Sequence, residues 1–496
     1  MSETRQRREH ADEQPARRKR SFLFRLIRAL FFLTIVVGAC AAGGVVWFLN
    51  DAQRTPREWA PYLERRAENH RSIIVDATDF VATYLERMDR LDRTAAIDAP
   101  VLVGARPERS SPLSGRVRTI ASIQMLRDAM PLVQPGDVLL MQPGVYKMEG
   151  ERPIIFSQSG TPNLPIVFRA ARLGDVTIES TVIEGLKVSG ANWRFENLVM
   201  RGGCGDHRYC EHAFHVVGGA QGLVFRNNRL EDFNAHFKIN GEKGQFPDGG
   251  VIEYNTLIDT KPRVTRNPIT PIDLVAASNW RISDNFIADF VREGPGATYG
   301  AFVKGTGERN VIERNVVMCE WKLTNVPGQR VGLSLGGGGT DPPLTRDEGR
   351  SGIEQTNSIL RDNLIAFCSD VGIYVNKSRG SIVEHNTLID TAGIDVRFKE
   401  STAEVKANLV DGFIRTRDGG TMKTDNNLSA DLLGLFYGQH PQRLLYEDTG
   451  KLDLRWRTKP AALTTAAARK DLCGAPRPAQ PLPGAFEDFA PCQTRR

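Results

Sequence analysis

The amino-acid sequence predicts an all-β fold, a right-handed parallel β-helix, preceded by one transmembrane helix. Three observations predict the solenoid. First, an apolar-x-apolar-x-x-Asn-x-apolar theme recurs as WRFENLVM at 193, LVFRNNRL at 223, VIEYNTLI at 251, WRISDNFI at 280, VIERNVVM at 311, ILRDNLIA at 359 and IVEHNTLI at 382, and it continues in EVKANLVD at 404 and TMKTDNNL at 421. Second, the reference asparagines 197, 228, 255, 285, 315, 363, 386, 408 and 427 lie 19 to 31 residues apart, with one interval of 48. That period suits short parallel strands stacked coil on coil, each coil covering the apolar face of its neighbour. Third, an asparagine at each turn can bond both the turn backbone and the asparagine of the next coil. An immunoglobulin-like sandwich fits less well, because the asparagine phase persists too long.

From the N-terminus, residues 1 to 28 hold nine Arg or Lys against four Asp or Glu, and the remainder is almost balanced at 56 against 55. The overall charge of +6 is therefore no nucleic-acid footprint, which needs a basic stripe on the folded part. The stretch ALFFLTIVVGACAAGGVVWFL at 29 to 49 has no ionisable side chain except the Cys40 thiol, and as a helix it reaches across about 30 Å of hydrocarbon. RRKR at 17 to 20, with Arg25 and Arg28, orients it with the N-terminus cytoplasmic, as an uncleaved signal anchor. A cleaved signal peptide would have a shorter apolar core. The lipoprotein-like VGAC at 37 to 40 is followed by nine more mostly apolar residues.

Residues 56 to 93 place Trp59, Tyr62, Leu63, Ile73, Ile74, Phe80, Tyr84 and Leu85 near a helical period amid charge. Residues 94 to 118 have no sustained period and read as a linker. A short helix around Met125 is expected to cover the first coil, and the C-terminal stretch to cover the last, each blocking a free sheet edge. The resulting division is a basic cytoplasmic tail at 1–28, the anchor at 29–49, a helical spacer at 50–98, the β-helix at 99–430, and a C-terminal cap and tail at 431–496.

Besides Cys40 there are six cysteines, an even number that fits an oxidising compartment. Cys204 with Cys210 and Cys473 with Cys492 are plausible local disulfides, whereas Cys319 and Cys368 could equally be buried thiols. CGDHRYCEHAFH at 204 to 215 is the best metal-like cluster. A disulfide there consumes both thiols and leaves His207, His212 and His215 as a weaker site.

Upstream of most ladder asparagines lies a second short strand. Alternation turns Phe214, Ile239, Leu274, Val303, Leu335, Val375, Val396 and Ile414 inward. It turns His215, Lys238, Asp273, Lys304, Ser334, Tyr374, Asn376, Asp395, Arg397, Arg415 and Arg417 outward, with Lys377 at the end of its strand. Stacking makes these a polar strip suited to a charged sugar chain: cations pair with uronate or sulfate, and a ring stacks on a sugar face. Lys304 and Arg397 each precede their asparagine by eleven residues and so share a lateral track. The Gly-rich GLSLGGGGTDPPLTRDEGRSG at 332 to 352 lacks the ending of a nucleotide-binding loop and borders the strip instead. Neither a G-x-S-x-G elbow nor an H-E-x-x-H helix occurs.

From LRDAMPLVQPGDVLLMQPGVY through PIVFRAARLGDVTIES, and by architecture to about residue 430, the chain resembles polysaccharide lyases of the chondroitinase-B and alginate-lyase type, within the pectate-lyase-like parallel β-helices. The resemblance implies β-elimination on a uronate-containing chain. It implies a calcium ion that neutralises the uronate, a lysine that takes the C5 proton and an arginine that assists the leaving oxygen. Lys304, in FVKGTGERNVIERN, matches the lysine. The arginine position falls in GLSLGGGG, which leaves Arg330 or Arg397 as substitutes, and GPGATYGAFVK lacks the acidic residues expected for calcium.

The expectation is a single-pass protein of a bacterial inner membrane, its soluble part periplasmic or extracellular, acting as a lyase on an acidic polysaccharide. Lys304, Arg330 and Arg397 are the catalytic candidates. Lys238, Asp273, Tyr374, Asn376, Lys377, Asp395, Arg415 and Arg417 are the substrate-binding candidates. An epimerase, a glycoside hydrolase or a noncatalytic polysaccharide-binding envelope protein are the alternatives, and no nucleic-acid partner is expected.

Overall fold

The computed structural model describes residues 17–93, 97, 103–110, 114–294, 296–464 and 469–493. The basic segment 1–16 and parts of the linker lie outside the described residues. The chain divides into two compact units, residues 1–54 and 55–496. In the first, helix α1 (Arg17–Ala52) contains one stretch, Phe24–Ala52, long and apolar enough to cross a membrane.

The second unit is a solenoid of three parallel sheets of 12, 11 and 10 strands, here A, B and C, each ordered along the axis in chain order. From the coil of Trp193 onward, each regular coil runs from an A strand through an asparagine turn to B, and then through a longer loop to C. The physical basis of the stack is visible at the A–B corner. The Oδ1 of Asn255, Asn285, Asn315, Asn363, Asn386, Asn408 and Asn427 each accepts from the backbone N–H of the asparagine one coil earlier, at 2.8–3.1 Å. Their Nδ2 groups donate to carbonyls of the preceding coil's A strand. Every ladder amide thus satisfies buried backbone groups that an apolar side chain would strand. Asn197 differs from its assigned place: the ladder position of its coil is Leu198, whose N–H donates to Asn228. Asn197 instead takes the left-handed φ of 60° that precedes each ladder residue, as do Asn227, Tyr254 and Arg314.

Inside the coils, Phe195, Phe214, Phe225 and Phe237 form a ring cluster with centroids 4.9–5.4 Å apart, continued by aliphatic layers to Val405. Helix α4 (Ile123–Ala129) covers the first coil, with Leu126 as the buried residue and Met125 exposed. C-terminal residues also flank the solenoid. Tyr446, Leu454, Leu472, Phe486 and Phe489 pack on Phe286, Val316, Leu364, Ile389 and Leu409, running along the outer face of sheet B. That face is apolar and needs a cover, whereas the last A strand, Thr421–Asp425, is mostly exposed.

Helices α2 (Pro56–Ala67) and α3 (Ser72–Asp89) form a hairpin docked on the later coils. Buried Arg57 fixes it, bonding Asp89 at 2.8 Å, Asp390 at 2.7 Å and the Cys368 carbonyl at 3.0 Å. The helical segment, expected as a spacer or packing segment, here packs on the solenoid. Three disulfides are formed: Cys204–Cys210, Cys473–Cys492 and Cys319–Cys368, the last joining the ends of two neighbouring B strands.

Candidate functional site

Sheet C carries the predicted strip. Its inward residues Phe214, Ile239, Leu274, Val303, Leu335, Val375 and Val396 are fully buried, and Ile414 packs against the same core. Register then lines up one outward row across nine strands: Lys187, His215, Lys238, Asp273, Phe302, Ser334, Tyr374, Asp395 and Arg415. A second row two residues on holds Asn240, Val275, Lys304, Asn376, Arg397 and Arg417. Loops 203–211, 259–271 and 319–328 enter the sheet on one side, and loops 241–250 and 336–354 leave it on the other. The rows form the floor between them.

At the centre, Asp273 lies between two lysines. Its Oδ2 accepts from Lys238 Nζ at 2.5 Å, and its Oδ1 is 3.7 Å from Lys304 Nζ. Burial alone would raise the Asp273 carboxyl, but the two ammonium groups hold it below its usual range. Lys304 also sits 4.3 Å from the Phe302 ring, which stacks on Tyr299 at 4.4 Å. Phe302 faces outward yet is only 7% exposed, because the Gly-rich insertion lies over it. A Cβ on Gly337, whose φ is +154°, would fall 2.5 Å from the Phe302 ring. Arg346 ties that insertion to loop 241–250 on the same side, bonding the Ala276 carbonyl at 2.6 Å, pairing with Asp248 and covering the Phe246 ring.

Farther along the strip, Arg397 donates to the Tyr374 hydroxyl at 3.2 Å and to Asp418 at 2.5 Å. Burial raises the Tyr374 hydroxyl above its ordinary range. Arg417 is bound to Asp395. Asn376 is buried beside Arg397, and Lys377 lies 5.7 Å from the Phe398 ring. Arg415 is 2% exposed and belongs to the packing of the hairpin: it grips Glu58 of α2 through two bonds of 2.6 Å and reaches Asp395 at 3.2 Å. Arg330 is buried as well, turned to Glu320 at 2.8 Å and the Val326 carbonyl at 2.6 Å, away from the strip.

Lys304 and Arg397 share a row, as their common spacing predicts, but three strand steps separate them. At about 4.8 Å per step, that is roughly 14 Å along the axis. The carboxylate nearest Lys304 is engaged by two ammonium groups, surroundings that repel rather than hold a calcium ion, so a calcium site beside Lys304 does not fit these residues.

At the N-terminal end of the strip, Glu184, His212 and His215 converge. His215 Nδ1 is 2.9 Å from Glu184 Oε1, and its Nε2 is 2.9 Å from Asn240 Oδ1. The bond to His215 keeps the Glu184 carboxyl below its usual range, and burial pushes His212 down to about 3. His207 is apart from them, accepting from the Val264 N–H at 2.8 Å. Glu184, Tyr299, Phe302 and Glu58 escaped the sequence reading. Phe302 was legible, since it alternates with Lys304 on one strand, whereas Glu58 had no local signal because its partner lies 357 residues away.

No family model and no curated protein matches the chain. Among solved structures, the chain is similar to the pectate lyase Pel9A at 14% identity, over 76% of this chain and 97% of that one, with a TM-score of 0.47. It is similar to an alginate lyase from Paenibacillus sp. str. FPU-7 at 16% identity, over 64% and 99%, with a TM-score of 0.37. It is also similar to the A-module of the mannuronan C-5 epimerase AlgE6 of Azotobacter vinelandii at 11% identity, over 61% and 88%, with a TM-score of 0.40. These are distant likenesses of backbone and carry no assignment of substrate.

Proposed function

We propose that the chain is a membrane-anchored extracytoplasmic enzyme that holds an acidic polysaccharide along sheet C and cleaves it by β-elimination. The observation that supports this best is the Lys238–Asp273–Lys304 cluster on the floor between two loop walls, with Tyr374 and Arg397 farther along the same floor. Asp273 holds the two lysines side by side. Lys238 then meets the uronate carboxylate and offsets the charge that builds up when the neighbouring proton leaves. Lys304, in its neutral amine form after giving one proton to solvent, takes the C5 proton; the C4–O bond breaks as the C4–C5 double bond forms, and the leaving oxygen recovers a proton from the Lys304 ammonium so formed or from water. Arg397 and Tyr374, farther along the axis, bind another sugar of the same chain. Arg330 has no part in this assignment, because its guanidinium is committed to Glu320. In this reading helix α1, with its basic N-terminal flank, anchors the protein in a bacterial inner membrane, and the three disulfides support an oxidising side for the β-helix.

The test is incubation of the detergent-solubilised full chain with alginate, pectate and glycosaminoglycans, following the ultraviolet absorbance of unsaturated uronate ends. Product from one of them supports the lyase. Retention of a polysaccharide without any product supports the noncatalytic binding alternative, and new reducing ends without unsaturation support a hydrolase.

A further inference from the structure

We infer that Glu184, His212 and His215 form a binding site for a divalent cation of the zinc class, at the N-terminal end of the strip. One ligand atom of each lies within 4.8 Å of the other two, and all three side chains are half-buried. The decisive geometry is at His215. Asn240 Nδ2 donates to the Gly241 carbonyl at 3.0 Å, which fixes the amide so that its Oδ1 faces His215 Nε2 at 2.9 Å. Nε2 must therefore carry a ring proton, and Nδ1, 2.9 Å from a carboxylate oxygen, holds either a second proton, as in the bonded unliganded pair, or a lone pair for a metal. Two electron-rich atoms at that distance need a positive centre between or beside them. A second proton on His215 would answer that pair alone. It would leave unexplained His212, whose ring centroid is 5.0 Å from that of His215 and whose buried Nδ1 makes no hydrogen bond. A metal ion uses all three.

A ligating imidazole whose other nitrogen is held by a carbonyl-type oxygen is the usual arrangement at protein metal sites. Two imidazoles and one carboxylate suit zinc and its neighbours, whereas calcium takes oxygen donors. Bond lengths of about 2.0–2.2 Å require the ligand atoms to draw in by roughly an ångström, a movement within reach of the half-exposed Glu184 side chain. Three protein ligands leave a position open toward solvent. The nearby ammonium groups are already paired, Lys238 with Asp273 and Lys187 with Glu242, and Glu211 adds a carboxylate 3.9 Å from His212. The site stands independently of the lyase reading, because it is read by metal retention and spectroscopy.

The experiment strips the solubilised full chain with chelator and titrates it with zinc, then with cobalt(II). The expected result is one zinc retained per chain after desalting, and a cobalt spectrum with the intense visible bands of four- or five-coordination. His212→Ala and Glu184→Gln should each weaken zinc at least tenfold, and Asn240→Leu about tenfold through the loss of its hold on His215. Melting temperatures of the metal-free variants equal to that of the metal-free parent show that folding is intact. Zinc retained undiminished by a His212→Ala/His215→Ala variant overturns the site. So does a parent cobalt spectrum like that of the hydrated ion, which needs no variant to fold.

Discussion

Lys304 faces a carboxylate, an aromatic ring and the open floor, so its replacement separates chemistry from binding. With an active substrate in hand, Lys304→Ala is expected to lower kcat by about 100-fold or more, the contribution of a positioned general base, while KM changes little because Lys238 and Arg397 still hold the chain. Equal activity of the variant would remove Lys304 from its role. Glu58 gives a pH prediction. Burial raises its carboxyl, but the Arg415 guanidinium outweighs that and brings it down to about 2 from an ordinary 4.5. A depressed carboxyl contributes stability that is complete above 4.5 and lost as pH falls toward 2, so acid is expected to release the hairpin. Limited proteolysis between residues 55 and 93 across that range checks it, and Glu58→Gln should make the hairpin cleavable at neutral pH. Breaking a buried ion pair from one side costs about 3–5 kcal/mol.

At the scale of elements, the asparagine ladder and the Gly-rich insertion obey different constraints. Asn315 donates to Ile282, Glu313 and Asn363 and accepts from Asn285, all buried. Asn315→Ala strands several of these groups at about 1–3 kcal/mol each, whereas Asn427→Ala, at the half-buried end of the ladder, should cost less. Urea unfolding of the two variants orders them. In the insertion, Gly337→Ala combines an unfavourable φ with a clash on Phe302, and about 1–3 kcal/mol of strain is expected to lift the segment off the ring. The quenching or hydrogen exchange of residues 336–354 reports the lift. The repeat made the asparagine corners of the later coils readable, because each asparagine answers a local and periodic need, whereas the first three strands of sheet A carry no such asparagine. The roof over Phe302 was unreadable, because only packing shows which glycine meets which ring.

Over the whole second unit, two covers come from distant parts of the chain: the α2–α3 hairpin on the later coils and the C-terminal run along sheet B. The disulfide between Cys319 and Cys368 joins neighbouring coils, and its removal by a Cys319→Ala/Cys368→Ala pair is expected to cost about 2–4 kcal/mol, seen as a lower denaturation midpoint. By itself the sequence determined the solenoid, the inward and outward faces of sheet C and the membrane-length apolar helix, because period and alternation are properties of neighbouring residues. Tertiary structure decided which outward residues remain a site. Register put Asp273 opposite Lys238 with Lys304 one row away, and Glu184 opposite His212, from where its carboxylate reaches His215. Ion pairs turned Arg330, with Glu320 ten residues away, and Arg415, with Glu58 357 residues away, into parts of the framework, since a buried guanidinium is stable only where a carboxylate reaches it.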